Sequence, residues 1–190
     1  IPVVIMAGGT GNRLKPFTDV LPKPLLPING KTILEHIINR FEAIGCNDFY
    51  FTLNYKSKIM KAYIDDLNPD YNVHFIEENK PLGTAGSLQL IEKKFDKPIF
   101  VTNCDIIIKT DYKNFYNYHL KGKYDLSIVA ASKSYEIPYG TCQISDDGLL
   151  VGINEKPKYE FLTNTGLYLL NPDLLSQIPK DTFFHITDLI

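Results

Sequence analysis

The chain has 190 residues, 44% apolar and 22% charged, with 20 basic side chains against 22 acidic ones for a net charge of −2. These are ordinary values for a folded globular domain and exclude wholesale disorder, collagen and coiled coil. No apolar run approaches the roughly 20 residues of a membrane helix, and the even charge balance gives no electrostatic reason to expect nucleic acid or an anionic membrane as partner.

Cys46, Cys104 and Cys142 are odd in number and widely spaced, without a CxxC pair. They read as reduced thiols of a cytoplasmic protein, not as a zinc site or a disulfide framework. No basic leader precedes the first apolar stretch, so no signal peptide is expected. The chain starts at Ile1 instead of Met, as a fragment would. Residues 1–190 read as a single domain that has lost upstream residues.

Residues 2–6 (PVVIM) form a short buried-strand pattern, 7–16 are glycine-rich, and 22–27 (PKPLLP) carry too much proline for a helix or a central strand. A helix is predicted over 32–44. Thr32 and Glu35 make a capping box, Leu34, Ile37, Ile38, Phe41 and Ile44 make one apolar stripe, and Gly45 stands where a C′ residue belongs. Strands follow at 49–53, 73–76 and 98–102, with helices at 56–67, 85–94 and, on a weaker pattern, 111–121. After Tyr124 the character changes to strands at 126–131, 140–144, 149–154 and 163–170, with Asp146-Asp147-Gly148 as a hairpin signal and a last helix from about His185.

Strand–helix alternation in the first half predicts a parallel sheet covered on both faces. The strand-rich second half adds an antiparallel excursion. The expected fold is therefore α/β: a Rossmann-like three-layer α/β/α sandwich with a mixed, mainly parallel central sheet. Ligands of such folds lie outside the carboxyl ends of the strands, so the loops after Met6, Leu53, Ile76 and Thr102 should share one edge.

The first of those loops is Ala7-Gly8-Gly9-Thr10-Gly11-Asn12-Arg13-Leu14. Backbone amides in a strand-end glycine loop can point at a phosphate. It is not a Walker A loop, because Asn12-Arg13 follow Gly11 where Lys-Ser/Thr would be needed. It is a poor dinucleotide fingerprint too, with Leu14 at the third glycine position and Asn54, not an acid, ending the second strand. A tight turn requiring positive φ is the plainer alternative, against which Arg13 sets a guanidinium beside the amides. Lys23 follows, bracketed by Pro22 and Pro24, which stiffen its backbone.

The stretch AGGTGNRLKPFTDVLPKPLLPI resembles the signature of the sugar-1-phosphate nucleotidyltransferases, the nucleotide-sugar pyrophosphorylases. Their pattern, GGxGxRLxPxT and then PKPLLPI, is matched almost throughout residues 8–28. Further segments agree in order: Pro81-Leu82-Gly83-Thr84-Ala85-Gly86-Ser87, Asn103-Cys104-Asp105, Tyr139-Gly140, Glu155-Lys156-Pro157, Asn164-Thr165-Gly166 and Ile186-Thr187-Asp188. Members normally continue past a motif like the last. The wording of the first 60 residues is most similar to a bacterial branch often preceded by CBS regulatory domains.

The resemblance implies the nucleotide-diphospho-sugar transferase type of fold and Mg²⁺-dependent transfer of a nucleotidyl group from a nucleoside triphosphate to a sugar 1-phosphate, as in surface-polysaccharide biosynthesis. It leans to GTP with a hexose or amino-sugar 1-phosphate, and admits a homo-oligomer and an upstream CBS domain. By the same resemblance, Ala7, Gly8, Gly9, Thr10 and Gly11 hold the triphosphate, Leu82, Gly83, Thr84 and Asn103 bind the nucleotide, and the loop from Leu82 to Gly86 reads the base. Arg13 and Lys23 contact the reacting phosphates. Asp105 acts in catalysis as a magnesium carboxylate, with Asp188 as the second. Gly140, Glu155, Lys156 and Asn164 bind the sugar phosphate. His36, His74, His119 and His185 are left to structure.

Taken singly, these residues have plainer readings. Asp105 could be a turn residue, Asp188 a helix start, and Glu155-Lys156 a surface ion pair. Three rivals stand beside the main reading. One is a nucleotidyltransferase acting on another phosphorylated alcohol. Another is a non-catalytic nucleotide-sensing module. The third, a metal-dependent glycosyltransferase, would show Asp-x-Asp, whereas Ile106-Ile107 follow Asp105.

Overall fold

The computed structural model describes residues 1–9, 11 and 14–190. It divides into two compact units, residues 1–128 with 166–190, and residues 129–165.

The first unit is built on a six-stranded sheet. In chain order its strands are β1 (Pro2–Ala7), β4 (Asp48–Leu53), β5 (Asn72–Glu77), β6 (Ile99–Asn103), β7 (Leu126–Glu136) and β10 (Lys158–Leu170), the last two shared with the second unit. The spatial order is β5-β4-β1-β6-β10-β7. β5, β4, β1 and β6 run parallel, and β10 closes antiparallel on β6 with Leu167 opposite Thr102 and Leu170 opposite Ile99. The mixed, mainly parallel sheet is the expected one. β1, β4 and β6 are buried along nearly their whole length, as parallel strands covered on both faces must be. β2 (Pro27–Ile28) and β3 (Lys31–Thr32) form a separate short ribbon.

Alternation along the strands divides the core. Phe100 meets Phe41 of α2 (Ile33–Glu42) at 5.1 Å between ring centres and Tyr112 of α5 (Tyr112–Gly122) at 6.3 Å, so these helices cover one face. Val4, Met6, Tyr50, Val101 and Tyr168 share the opposite cluster with Ala85, Leu88, Leu174, Ile178 and Ile186. These last five come from short pieces: α4 (Gly83–Gly86), 3₁₀ turns at Ser87–Leu90 and Pro172–Gln177 with Ile178 just after the second, and α6 (Ile186–Leu189).

The capping box of α2 is formed as the sequence reads it. Thr32 Oγ1 accepts from Glu35 N at 3.2 Å, and Glu35 Oε2 accepts from Thr32 N at 2.8 Å. Helix α3 (Ser57–Asp66) starts one residue later than expected. Lys56 takes a left-handed φ of 54° and donates through Nζ to the carbonyls of Thr18 and Asp19, at 3.1 and 2.6 Å, at the end of α1 (Phe17–Val20).

The predicted helix over 85–94 is not there. One α-turn and one 3₁₀ turn end at Leu90, and the chain is irregular from 91 to 98. Tertiary contacts decide this. Ala85 N and Gly86 N, which a helix would leave free, dock on Phe184 O, while the Gln89 side chain is drawn to Leu175 O and Ile91 N closes on Leu88 O at 3.2 Å in a 3₁₀ register, so the α register is not carried on. Two glycines in four residues weaken the helix further.

In the second unit, β8 (Thr141–Ile144) and β9 (Leu150–Asn154) form the expected antiparallel hairpin, with a register shift at Gln143/Ile144. Gly148 closes its turn at φ 79°. Hydroxyls of Thr163 and Thr165 donate to the carbonyls of Ala131 and Val129, tying β10 to β7 within this unit.

Candidate active site

The carboxyl edge of the parallel strands carries a cleft of about 420 Å³. Its wall takes Met6, Gly8 and Gly9 after β1, Thr52 and Asn54 at the end of β4, Glu78 and Pro81 after β5, and Asn103, Cys104 and Asp105 after β6. The four loops expected to share an edge do so. Gly83, Thr84, Phe183 and His185 complete the wall.

Of the expected phosphate loop, Gly8 and Gly9 line the cleft, while Ala7 is the buried last residue of β1. Gly11 needs to be glycine: its φ is +67°, and a β-carbon there would come within 3.0 Å of Thr18 Cγ2. Thr18, itself buried, donates to Gly11 O at 3.0 Å and so anchors the loop to α1. Thr10 and Arg13, expected at the phosphates, lie outside the described residues.

Lys23 opens a 3₁₀ turn (Lys23–Leu25) and reaches across to Asp105, donating from Nζ to Oδ2 at 2.5 Å. The two are 82 positions apart in sequence. β6 ends in the cleft wall, so the fold delivers Asp105 to the glycine loop as the strand-edge rule requires. Next to it, burial and then the Asp105 charge push the Cys104 thiol up to about 12, which makes it a poor nucleophile. Cys46 is pushed up to about 11, again chiefly by burial. All three cysteines are unpaired with one another.

Leu82 is buried, not in the cleft wall, and its backbone is already engaged. Its N–H donates to Glu78 Oε2 at 3.2 Å, and its carbonyl accepts from Phe184 N at 2.9 Å. Gly83 and Thr84 do face the cleft, and Thr84 Oγ1 accepts from Ile186 N at 2.8 Å. Asp188 is two residues beyond Ile186. Its Oδ2 accepts from His185 N at 2.9 Å, so one carboxylate oxygen starts α6, as the plainer reading of that residue has it.

Glu78 was not singled out from sequence, and it is the most conspicuous group in the wall. It is only 9% exposed. A β-carbon on Gly8 would come within 2.7 Å of its Oε1, so the glycine loop and this carboxylate are in contact only because residue 8 has no side chain. Burial raises its pKa. The Leu82 N–H opposes that, as does Ser87, whose hydroxyl lies close without a bond of normal geometry. A buried carboxylate here can accept from N–H groups on the edge of a base. The signal that could have found it is an acid at the carboxyl end of the third parallel strand, two residues past Ile76. Asn54, noted only for not being acidic, holds this loop by donating to Glu78 O at 2.9 Å.

Among the histidines, His119 is buried between Ser127 Oγ (2.8 Å) and Asn171 Oδ1 (3.3 Å), and burial lowers its pKa. His36 holds Ile28 O, and His74 stacks on Tyr50 at 4.4 Å. His185 lines the cleft as well as starting α6.

The residues expected for the sugar phosphate belong to the second unit. Gly140 and Glu155 are brought together there, since a β-carbon on Gly140 would lie 2.9 Å from Glu155 Oε2. Lys156 follows, exposed and with a left-handed φ of 45°. Asn164 lies on β10.

Magnesium chemistry asks for few protein ligands: one or two carboxylates, with waters and substrate phosphates completing the octahedron. Asp105 fits one such carboxylate. Among the described residues no group of three His, Cys, Asp or Glu side chains comes together, so a site made wholly of protein ligands is not what they form. No helix among the described residues is long and apolar enough to cross a membrane.

Residues 2–184 match the family model for nucleotidyl transferase. The mannose-1-phosphate guanyltransferase of Aspergillus fumigatus is 35% identical over 185 residues, covering 92% of this chain and 50% of its own. That of Saccharomyces cerevisiae is 34% identical, covering 95% and 54%. The chain thus spans about half the length of the curated relatives it matches. The crystal structure of HddC from Yersinia pseudotuberculosis complexed with GMP-PN superimposes with a TM-score of 0.71 at 31% identity, over 97% of this chain and 82% of that one. With the glycine loop, the Lys23–Asp105 pair and the PLGTAG loop on one sheet edge and a family match over nearly the whole chain, the chain belongs to the nucleotidyl transferase family, in the nucleotide-diphospho-sugar transferase fold.

Proposed function

We propose that the protein transfers a nucleotidyl group from a nucleoside triphosphate to a sugar 1-phosphate, releasing pyrophosphate, with GTP and a hexose or amino-sugar 1-phosphate as the favoured pair. The observation that carries this reading is the meeting of Gly8–Gly9, Lys23 and Asp105 at one strand edge. The guanyltransferase relatives and a solved relative complexed with GMP-PN support the choice of GTP.

An oxygen of the sugar phosphate attacks the α-phosphorus in line, and pyrophosphate leaves from the opposite side. A phosphate monoester has its second pKa at about 6, so the nucleophile is already largely dianionic at neutral pH. No general base is required, and none of the four histidines is given that role. The site's work is to hold two anions together and to neutralise charge as the new bond forms. Gly8 and Gly9 amides hold the triphosphate, and Lys23 donates to its phosphates. Arg13 joins it by resemblance, and Glu78 and Gly83 bound the base. Mg²⁺ would supply charge neutralisation and phosphate orientation. Asp105 would hold it, with Asp188 as the second carboxylate implied by the resemblance. Glu155 accepts from sugar hydroxyls and Lys156 pairs with the sugar phosphate.

Pyrophosphate release tests the reading, measured on the full-length protein with Mg²⁺ across GTP, UTP, dTTP, CTP and ATP against a panel of sugar 1-phosphates. Release with GTP and one sugar phosphate is expected. Silence across the panel from folded protein that still binds nucleotide would overturn it, in favour of another phosphorylated acceptor or a sensing module.

A further inference from the structure

Lys23 Nζ and Asp105 Oδ2 are paired at 2.5 Å, with side chains 31% and 28% exposed. Both are fixed from behind. Lys23 sits between two prolines in a 3₁₀ turn closed by Leu25 N donating to Pro22 O at 2.9 Å, and its Cβ packs 3.4 Å from where a Gly11 β-carbon would be. Asp105 stands two residues past the end of β6. We propose that Lys23 is a placeholder cation: it occupies Asp105 in the free protein and yields the carboxylate to a divalent cation only when a triphosphate draws the ammonium away. The proposal rests on the nucleotidyl-transfer reading and adds an order of assembly to it.

The argument is one of charge. A lysine ammonium has three donors, no acceptor and one positive charge. It can neutralise the carboxylate or a phosphate, and bonds to either are charge-assisted. A divalent cation arriving at Asp105 while Lys23 remains there would stand a few ångströms from a like charge, which weakens its binding. A triphosphate on Gly8 and Gly9 changes both sides at once. It offers Lys23 a new anionic partner, and it offers the cation oxygen ligands beside Asp105. Metal and nucleotide binding are then coupled, and the coupling is reciprocal. The alternative role for Lys23, orienting Asp105 for metal, predicts the opposite sign, because removing Lys23 would then weaken metal binding.

The test is Mn²⁺ binding to the full-length protein, followed by electron paramagnetic resonance without nucleotide. Lys23→Met, which removes the charge and keeps the length, should bind Mn²⁺ more tightly than wild type by about tenfold or more. Lys23→Arg should stay weak, and adding Asp105→Asn to Lys23→Met should abolish the gain. Unchanged or weaker Mn²⁺ binding by Lys23→Met, in protein whose circular dichroism is unaltered, would overturn the proposal. Failure of the underlying reading would look different: a non-hydrolysable GTP analogue would not bind, or would recruit no Mn²⁺ that depends on Asp105.

Discussion

The carbonyl oxygen of Phe184 lies 2.6 Å from the point where a β-carbon on Gly83 would have to sit. That oxygen also accepts from Ala85 N and Gly86 N, at 3.0 and 3.1 Å, while Phe184 N donates to Leu82 O. The PLGTAG loop and the segment leading into α6 are therefore one piece of structure, and Gly83 is a glycine for two reasons, its φ of +78° and this close approach. Gly83→Ala should lower stability in denaturant unfolding by about 2–3 kcal/mol or more. Gly148→Ala, at a similar φ of +79° but with nothing within 4 Å, should cost only about 1–2 kcal/mol.

Thr32 starts α2 and shares Glu35 with Tyr63, whose hydroxyl donates to Glu35 Oε2 at 2.7 Å. Thr32→Ala should lower stability by ~1 kcal/mol, and Thr32→Ser should restore most of it. The shift in denaturation midpoint at constant m-value checks this.

Glu78 makes stability depend on pH. Burial raises its folded-state pKa above that of the unfolded chain, so between the two values the folded state holds more protons. Its contribution is therefore fully present below the unfolded carboxyl range and is lost as pH rises through the folded value. Glu78→Gln removes that loss, so the stability of the variant relative to wild type should increase from pH 4 to pH 7. A flat difference across that range would mean that Glu78 is not held as described. The same variant should bind nucleotide with altered base preference at little cost to triphosphate affinity, read by titration calorimetry with GTP and UTP.

Asp105→Asn should lower turnover by about 100-fold or more with unchanged circular dichroism. Near-normal activity would remove Asp105 from the chemistry.

The centre of the sheet could be read from the sequence because β1, β4 and β6 are short, apolar and buried on both faces, and Thr32 and Gly45 punctuate α2 with ordinary capping chemistry. The missing helix over 85–94 could not be read: periodicity describes a segment alone, whereas the Gln89 side chain is held by Leu175 O, 86 positions further on. The site divides in the same way. Gly8, Lys23 and Asp105 stand in the motifs that carry the family resemblance. Glu78 escaped because a Glu-Glu pair after a strand looks like a solvated turn, and only the folded chain puts one of the two against Gly8.

The most direct test of the account uses the full-length protein, GTP and a sugar 1-phosphate carrying ¹⁸O in its phosphoryl oxygens. Attack on the α-phosphorus by that phosphate predicts a nucleotide sugar retaining all of the label and a pyrophosphate containing none. Label in the pyrophosphate, or no nucleotide sugar from protein that binds both substrates, would contradict it.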